Sequence, residues 1–219
     1  MVFSVTLTFR GGKSLTKKTD LILTFDKQTM AGMYDRYHPI AWKVTSFPKG
    51  GGGSFKATYT ADLAFLKAQV SGDVLESAGY STHINPEQQT ILTIDDPSPP
   101  ATYKFSKPEP WTSAGPGQFM CENKTGAYQD IGVGFFQNGH QDPSTAIVLR
   151  QVPGNTDAIA EFTPVLSAYV ATGYKETQII KAQIQSSLSW EKDVTKPMAL
   201  NWRLEESGAG FILVEDTAN

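Results

Sequence analysis

Hydrophobic and polar residues alternate along one long stretch of this chain, residues 178–191. One parity carries Ile180, Ile184, Leu188 and Trp190, whereas the other carries only polar side chains from Lys181 to Glu191. A period of two is typical of a β-strand that has one buried face and one solvated face. The pattern therefore predicts a single continuous strand over residues 178–191, with Trp190 buried and Lys181 in solvent.

The same kind of pattern recurs throughout the chain. Valine, isoleucine, threonine and aromatic residues dominate short runs, and Gly, Pro, Asn and Asp dominate the gaps between them, as in sandwiches and barrels. The other predicted strands cover residues 2–10, 21–25, 40–47, 55–60, 89–94, 101–106, 119–123, 131–137, 145–152, 161–172, 199–205 and 211–215. We predict an all-β fold with little helix, an antiparallel β-sandwich, with a β-barrel as the alternative.

The sequence leaves alternatives open for the number of domains and for the structure of three segments. A chain of 219 residues is long enough for a single β-sandwich domain over residues 1–219. Two β domains divided near residue 110 are the alternative, because residues 96–117 are rich in proline and form either a long crossover or a linker. Residues 61–70 fit a helix or a strand, and the glycine run at residues 49–54 predicts a hairpin tip rather than a domain boundary.

Charge and composition exclude some classes of partner. The formal net charge is −3 and the pI is near 5.6, so the basic excess that nucleic-acid binding needs is missing. The single cysteine, Cys121, allows no intrachain disulfide and favours a reducing compartment. The N-terminal residues alternate like a strand and lack the features of a signal peptide, and no window holds 18 consecutive apolar residues. We expect a soluble, cytoplasmic protein.

Catalytic and metal-binding motifs are missing from the sequence. It contains no G-x-S-x-G, no H-E-x-x-H and no G-x-G-x-x-G. Its three histidines, His38, His83 and His140, are scattered, so no metal site and no cofactor are predicted. An enzymatic role stays open, although the sequence favours a non-enzymatic one.

The four tryptophans separate into two groups. Trp42, Trp190 and Trp202 each lie on the apolar parity of a predicted strand and are expected in the core. Trp111 lies in a loop rich in proline and glycine, where no periodicity buries it. It is a candidate platform for a sugar ring or a partner side chain, and the alternative is that it folds back over a sheet edge.

The remaining candidate binding residues lie in three polar segments read as loops. Tyr34, Tyr37 and His38 belong to a segment without strand or helix period, which offers hydrogen-bond donors and stacking surfaces. Tyr128 ends a turn that begins at Asn123. His140 lies in a turn of Asn, Gly, Asp and Pro residues, where an acid–base role is conceivable but an ordinary turn is favoured.

Two groups of segments carry a resemblance to other proteins. They are YVATGYKE at residues 169–176 with SWEKD at 189–193, and NKTG at 123–126 with GVGF at 132–135. In these segments, about a quarter of the chain, the sequence resembles a loose set of β-rich cytosolic proteins of mushroom-forming fungi. The resemblance implies an intracellular β protein of a kind among which defence lectins and cytolysins are frequent, and it assigns no site.

Three functional hypotheses follow from these observations. The first is a lectin-like binding protein that recognises a carbohydrate or a protein surface through aromatic and polar loops. The second is a membrane-active, pore-forming β protein, because the alternating stretch at 178–191 has the length and pattern of an inserted strand. The third is an enzyme that acts on a small apolar substrate inside a barrel, with His140 or His38 as the base.

Overall fold

The computed structural model describes residues 2–28, 36–137, 139–208 and 210–217. The regular elements of these residues are all β-strands, which confirms the predicted fold class. No helix among them is long and apolar enough to cross a membrane. In chain order the strands are β1 (Ser4–Gly11), β2 (Thr19–Thr24), β3 (Tyr37–Pro39), β4 (Lys43–Phe47), β5 (Ser54–Thr60), β6 (Leu63–Ser71), β7 (Val74–His83), β8 (Gln88–Asp96), β9 (Thr102–Phe105), β10 (Glu109–Pro110), β11 (Gln118–Asn123), β12 (Gln129–Phe135), β13 (Ser144–Val152), β14 (Thr156–Glu161), β15 (Val165–Val170), β16 (Trp190–Asp193), β17 (Asn201–Ser207) and β18 (Gly210–Glu215).

These strands form four sheets that pack around a shared core. The terminal sheet has the order β18-β17-β1-β5, and the β2 sheet has the order β16-β15-β2-β4. The curled sheet has the order β3-β13-β12-β6-β7, and the β8 sheet has the order β10-β8-β11-β14 with β9 also on β8. The largest buried cluster takes residues from all four sheets, among them Leu7, Leu21, Phe65 and Leu92.

Strand direction departs from the prediction at two places. Most pairs are antiparallel, but β1 pairs with β17 in parallel, and β8 pairs with β11 in parallel. Parallel neighbours need a long crossover, and here strands that are distant in sequence meet. Local alternation in a sequence carries no information about the direction of a distant partner.

Aromatic side chains fill the centre of the largest cluster. The Phe25 ring lies 5.1 Å from Trp42, 5.3 Å from Phe162, 5.7 Å from Phe135 and 5.9 Å from Tyr59. Tilted and edge-on pairs at such distances add to the stability that burial of each ring supplies.

Three tryptophans belong to the same core cluster. Trp42, Trp190 and Trp202 are 3%, 7% and 4% exposed, which confirms that they are core residues. Strand parity accounts for the burial of Trp190 on β16 and Trp202 on β17. Trp42 lies between β3 and β4 and packs in a different cluster from Ile40, so its burial does not follow from parity.

The predicted long strand over residues 178–191 is wrong. Only its end belongs to a strand, β16, and the preceding residues 177–189 form a strap without regular strand pairing, with isolated bridges at Gln178 and Ile179. The expected burial is nevertheless present, because Trp190 is buried and Lys181 is exposed. An extended backbone exposes alternate sides whether or not a neighbouring strand pairs with it.

The strap completes the curled sheet. Ile179 N donates a hydrogen bond to Asp73 O at 2.7 Å, beside β7, and Ala41 N donates to Gln178 O at 2.8 Å, beside β3. The strap therefore joins the two edge strands of the curled sheet through backbone hydrogen bonds.

Glycines on β12 allow the sheet to curl this strongly. Ile131, Val133 and Phe135 point into the main core, whereas Gly132 and Gly134 occupy the opposite, concave face. A Cβ atom at Gly132 would collide with the Leu66 side chain, and one at Gly134 would collide with the carbonyl of Ser144. The missing side chains let the neighbouring strands approach.

Several other predicted boundaries need correction. Of the two alternatives for residues 61–70, the strand is present, because β6 (Leu63–Ser71) pairs with β12 and β7. The strand predicted at 40–47 begins only at Lys43, and a separate strand, β3, ends just before it at Pro39. The predicted strand at 161–172 begins only at Val165, after Pro164. Strands β7 and β14 were missed, because their sequences mix small and polar residues.

The glycine run at residues 49–54 is not a hairpin tip. Strand β4 pairs with β2 and strand β5 pairs with β1, so the run connects two different sheets. The backbone φ angles of Gly50, Gly51, Gly52 and Gly53 are all positive, between 75° and 98°, a region that favours glycine. Gly51 also lies so close to Gly12 that a side chain there would meet the Gly12 carbonyl.

The proline-rich segment at residues 96–117 folds back on the strand before it. Both β9 and β10 pair with β8 in the antiparallel direction. Tyr103 and Phe105, whose alternation suggested pairing at a sheet edge, are half-buried on β9 and pack against the main core.

Candidate functional site

The predicted site residues do not lie together. Tyr37 is paired with Leu149 near the end of β13, and Tyr128 directly precedes β12 at the same end of the curled sheet. His140 lies beyond the other end of β12, about 20 Å away by strand length. Tyr34 lies outside the described residues.

Trp111 also lies far from Tyr128, at the opposite end of strand β11. Its backbone N donates to Glu87 O at 2.8 Å, and Glu87 N donates to Gln118 O at 2.6 Å, where β11 begins. Tyr128 follows the opposite end of that strand. The Trp111 side chain is half-buried, as expected for an aromatic residue against a sheet edge.

The interpretation of Tyr37 and His38 as loop residues is wrong. They form the edge strand β3, so their side chains point to opposite faces. His38 is paired with Val148 and shares the concave face with Ile40, whereas Tyr37 packs against the main core. Three residues are too few for a period of two to be recognised in the sequence.

A cleft of about 470 Å³ lies beside Tyr37, and we call it the tyrosine cleft. It lies where β3, the end of β13 and the beginning of β14 meet. Its polar lining residues are Arg36, Tyr37, Arg150, Gln151, Thr156 and Asp157. The volume lies within the range of small-molecule sites.

A β-bulge shapes the wall of this cleft. Gln129 is paired with Val152 and Ile131 with Leu149, so Arg150 and Gln151 together face the single residue Asp130. A bulge of this kind bends the strand and changes the direction of its side chains. As a result, both adjacent residues of β13 line the tyrosine cleft.

Asp130 holds the bulge in place. Its Oδ1 accepts a hydrogen bond from Gln151 N at 2.8 Å, and its Oδ2 lies 3.1 Å from Arg150 Nε as an ion pair. Gln151 has a φ of 52°, which is uncommon for a residue with a side chain. The carboxylate of Asp130 therefore stabilises a backbone conformation that would otherwise be unfavourable.

Tyr37 is fixed by a hydrogen bond and by packing. Its hydroxyl donates to Ile159 O at 3.0 Å, across to β14. Burial raises the pKa of Tyr37, and the positive charge of Arg36 opposes this shift only in part. The phenol therefore stays protonated at physiological pH and acts as a neutral aromatic wall.

Asn123 supports the turns beside the cleft. It is fully buried, and its Nδ2 donates to Ala127 O, Val152 O and Pro153 O at 2.9, 2.9 and 3.0 Å. The side-chain amide of Asn123 is thus used within the fold. Tyr128, at the end of this turn, is 70% exposed.

Sequence reasoning missed most of the residues in the cleft. Arg150, Gln151, Thr156 and Asp157 carry no motif, and the first two lie in a run that reads as an ordinary strand. The turn residues of the segment QVPGN at 151–155 were the available signal, because loops at sheet ends commonly carry binding residues.

The single thiol and the metal-binding side chains are the other groups that could carry chemistry. Cys121 is buried, and burial raises the pKa of its thiol to about 12, so it is not a reactive thiolate. Among the described residues, no group of three His, Cys, Asp or Glu side chains is arranged to hold a metal ion.

Comparisons with known proteins give no family. No protein-family model matches the chain, and neither the curated proteins nor the solved structures searched contain a match. The resemblance to β-rich fungal proteins stays a prediction.

Proposed function

We propose that this protein is a non-enzymatic binding protein that recognises a carbohydrate through the tyrosine cleft. The observation that carries the proposal is the bulge at Arg150 and Gln151, which brings two adjacent polar side chains to one wall of the cleft. Bulges are frequent beside binding sites, where they change the direction of side chains.

The chemistry of the lining suits sugar hydroxyl groups. Arg36, Arg150 and Gln151 supply N–H donors, and Asp157 supplies acceptor oxygens. A sugar hydroxyl both donates and accepts, so it can be satisfied by such a mixed set. Planar groups that carry two polar atoms can also contact two neighbouring hydroxyls at once.

The charge balance favours a neutral ligand over a strongly anionic one. The Arg150 guanidinium already lies 3.1 Å from the Asp130 carboxylate, and Asp157 adds a second negative charge to the cleft. The positive charges of Arg36 and Arg150 balance these two carboxylates. Tyr37 adds an aromatic side chain against which the apolar face of a sugar ring can pack.

The experiment is a glycan-array screen followed by titration calorimetry with the best saccharide. Arg36→Ala and Asp157→Ala each remove an exposed lining residue, so the fold should be retained. We expect each variant to bind about tenfold more weakly or worse, as for the loss of hydrogen bonds to a charged group. His140→Ala serves as the control, because His140 is exposed at the opposite end of the curled sheet.

Three results would contradict the proposal. One is that the wild-type protein binds no saccharide on the array. Another is that binding is lost in His140→Ala but kept in Arg36→Ala and Asp157→Ala. The third is that all three variants retain binding, which would place the saccharide elsewhere on the protein.

A further inference from the structure

Strand β18 forms one edge of the terminal sheet. It pairs with β17 on one side, and no strand in the described part of the chain pairs with its other side. Its sequence is GFILVE, with four large apolar residues in succession. An open edge of this kind presents unpaired backbone groups with which a further strand can form hydrogen bonds.

The ladder between β17 and β18 shows which backbone groups point to the open side. Asp216 N donates a hydrogen bond to Asn201 O at 2.9 Å, so Asp216 is bonded to the β17 side. Bonded and non-bonded residues alternate in an antiparallel pair, so Val214 and Ile212 are also bonded to β17. The alternate residues, whose N–H and C=O groups point to the open side, are Phe211, Leu213 and Glu215.

Strand β18 lacks the features that usually protect an edge. Lysine, proline and β-bulges commonly block edge strands against pairing with another chain. The pairing of β18 with β17 runs over six residues without a bulge, and the strand contains neither lysine nor proline. In contrast, the edge strands β4, β5 and β16 carry Lys43, Lys56 and Lys192, and β10 carries Pro110.

The two faces of β18 differ in what they contact. Phe211 and Leu213 pack against the main core. Ile212 and Val214 lie on the opposite face, where Ile212 is 46% exposed and Val214 is half-buried. Apolar side chains are therefore present in solvent directly beside the open backbone groups.

We propose that β18 pairs in the antiparallel direction with β18 of a second copy of this chain, about a two-fold axis at Leu213. Leu213 then lies opposite Leu213 of the second copy, and Phe211 lies opposite Glu215 of the second copy. The two terminal sheets become one continuous sheet of eight strands, since each copy supplies four.

The open edge is self-complementary in this register. All three open residues of each copy are used, and each of the three pairs exchanges two hydrogen bonds. A shift of the register by two residues would leave one open residue of each copy unpaired. Ile212 meets Val214 of the second copy at a non-bonded position, where opposite side chains are closest.

Charge and symmetry also favour a second copy as the partner. The only charged residue of β18 is Glu215, and it faces Phe211 of the second copy rather than another carboxylate. The contact is isologous and uses the open edge of both copies, so it closes as a dimer and does not continue into a fibre.

The experiment is sedimentation equilibrium of the full-length chain over a range of concentrations. Six residues of edge span only about 20 Å, so the interface is small and the dimer is expected to be weak. We expect a reversible monomer–dimer equilibrium with a dissociation constant of about 10–100 μM.

Two substitutions on β18 should weaken this dimer. Ile212→Lys places a charge opposite Val214 of the second copy, and Glu215→Pro removes an N–H that points to the open side. Each change enters the interface twice by symmetry, so we expect each to raise the dissociation constant by about tenfold or more. Proline is tolerated on edge strands, and thermal unfolding would verify that both variants are folded.

Each substitution has a matched control. Glu215→Ala removes the same carboxylate as Glu215→Pro but keeps the N–H group, so it should leave the dissociation constant unchanged. Ile94→Lys adds the same charge as Ile212→Lys at an apolar residue that is 37% exposed on β8, in another sheet. It should likewise leave the dimer unchanged.

The register can be tested by disulfide formation between two variants. Because Ile212 lies opposite Val214 of the second copy, a mixture of Ile212→Cys and Val214→Cys should form a cross-linked dimer under mild oxidation. Either variant alone should cross-link about tenfold more slowly or less, since identical positions are diagonal to each other across the axis. The native Cys121 is buried and does not take part.

Four results would overturn the proposal. The first is a wild-type chain that stays monomeric at millimolar concentration, which would leave the edge to a strand of a different protein. The second is an open series of larger assemblies in place of a dimer. The third is that the β18 variants dissociate the dimer no more than their controls. The fourth is that either cysteine variant alone cross-links as fast as the mixture.

Discussion

Ile179 and Ile180 are neighbours in the chain, yet their side chains are buried in two separate hydrophobic clusters. Ile179 packs with Ile40 and Val148 in the concave face of the curled sheet, whereas Ile180 packs with Ile22 on the outer face of the β2 sheet. The strap therefore joins two sheets through adjacent residues that point in opposite directions.

This arrangement predicts a large effect of each isoleucine on stability. Ile179→Ala and Ile180→Ala should each lower the free energy of unfolding by about 2–4 kcal/mol, because each removes buried methyl groups and leaves a cavity. Urea denaturation monitored by tryptophan fluorescence would measure this. Lys181→Ala, which removes only an exposed ion pair with Asp73, should change it by less than about 1 kcal/mol. Equal effects of all three variants would mean that the strap is not packed as described.

The bulge beside the tyrosine cleft can be tested through Asp130. Asp130→Asn keeps an oxygen that can accept from Gln151 N, whereas Asp130→Ala leaves that N–H without its partner. We expect Asp130→Ala to lose about 1–3 kcal/mol and most of the saccharide binding, and Asp130→Asn to retain most of both. Calorimetry and denaturation on the same samples would measure this. If Asp130→Ala binds saccharide normally, the bulge does not position the site.

Asn123 should tolerate no charge. In Asn123→Asp a carboxylate would face the three carbonyl oxygens that the amide now contacts, at a fully buried position, and we expect a loss of about 3–5 kcal/mol at pH 7. The pKa of the new carboxyl would be raised in the folded state, so the loss should shrink as the pH falls towards about 4. Asn201→Asp, at the exposed first residue of β17, should show neither effect when unfolding is followed between pH 4 and 8.

The buried thiol makes the stability of the protein depend on pH in alkaline solution. Burial raises the pKa of Cys121 from its ordinary value of 9.0 to about 12. A group whose pKa is raised by folding contributes stability that is present at low pH and is lost as the pH rises between these two values. We expect the free energy of unfolding to fall by up to about 1.4 kcal/mol per pH unit in that window. Cys121→Ala should remove the part of this fall that is due to the thiol.

Tyr59 adds a second contribution in part of the same window, because burial raises its pKa from 10.0 to about 12. Cys121→Ala should therefore reduce the alkaline loss without abolishing it. A thiol reagent at pH 8 should label Cys121 only after unfolding. Rapid labelling of the native protein would show that the thiol is accessible.

The strained threonine in the strap gives a further expectation. Thr177→Asn places a residue that tolerates positive φ at this position, and it should stabilise the protein by about 1 kcal/mol. Thermal unfolding would measure the gain. The neighbouring exposed Lys175→Asn, which relieves no such strain, should give none.

Much of the core could be predicted from the sequence, and most of the candidate site could not. The burial of Trp190 and Trp202 could be predicted, since the side of a strand on which a residue lies follows from its parity. The proposed site depends on Arg150 and Gln151, whose directions are set by a bulge opposite Asp130, about twenty residues away in the chain. No local pattern encodes that pairing.

By itself, the sequence determined the all-β class, the alternation of buried and exposed residues and the burial of Trp190, because these depend on local backbone geometry and on the transfer of apolar side chains from water. Only the tertiary structure decided that residues 177–189 form a strap, that β1 and β17 are parallel, and that Tyr37 and Trp111 lie at different ends. These features depend on hydrogen-bond partners that are distant in the chain. An extended segment satisfies the same alternation whichever partner it finds.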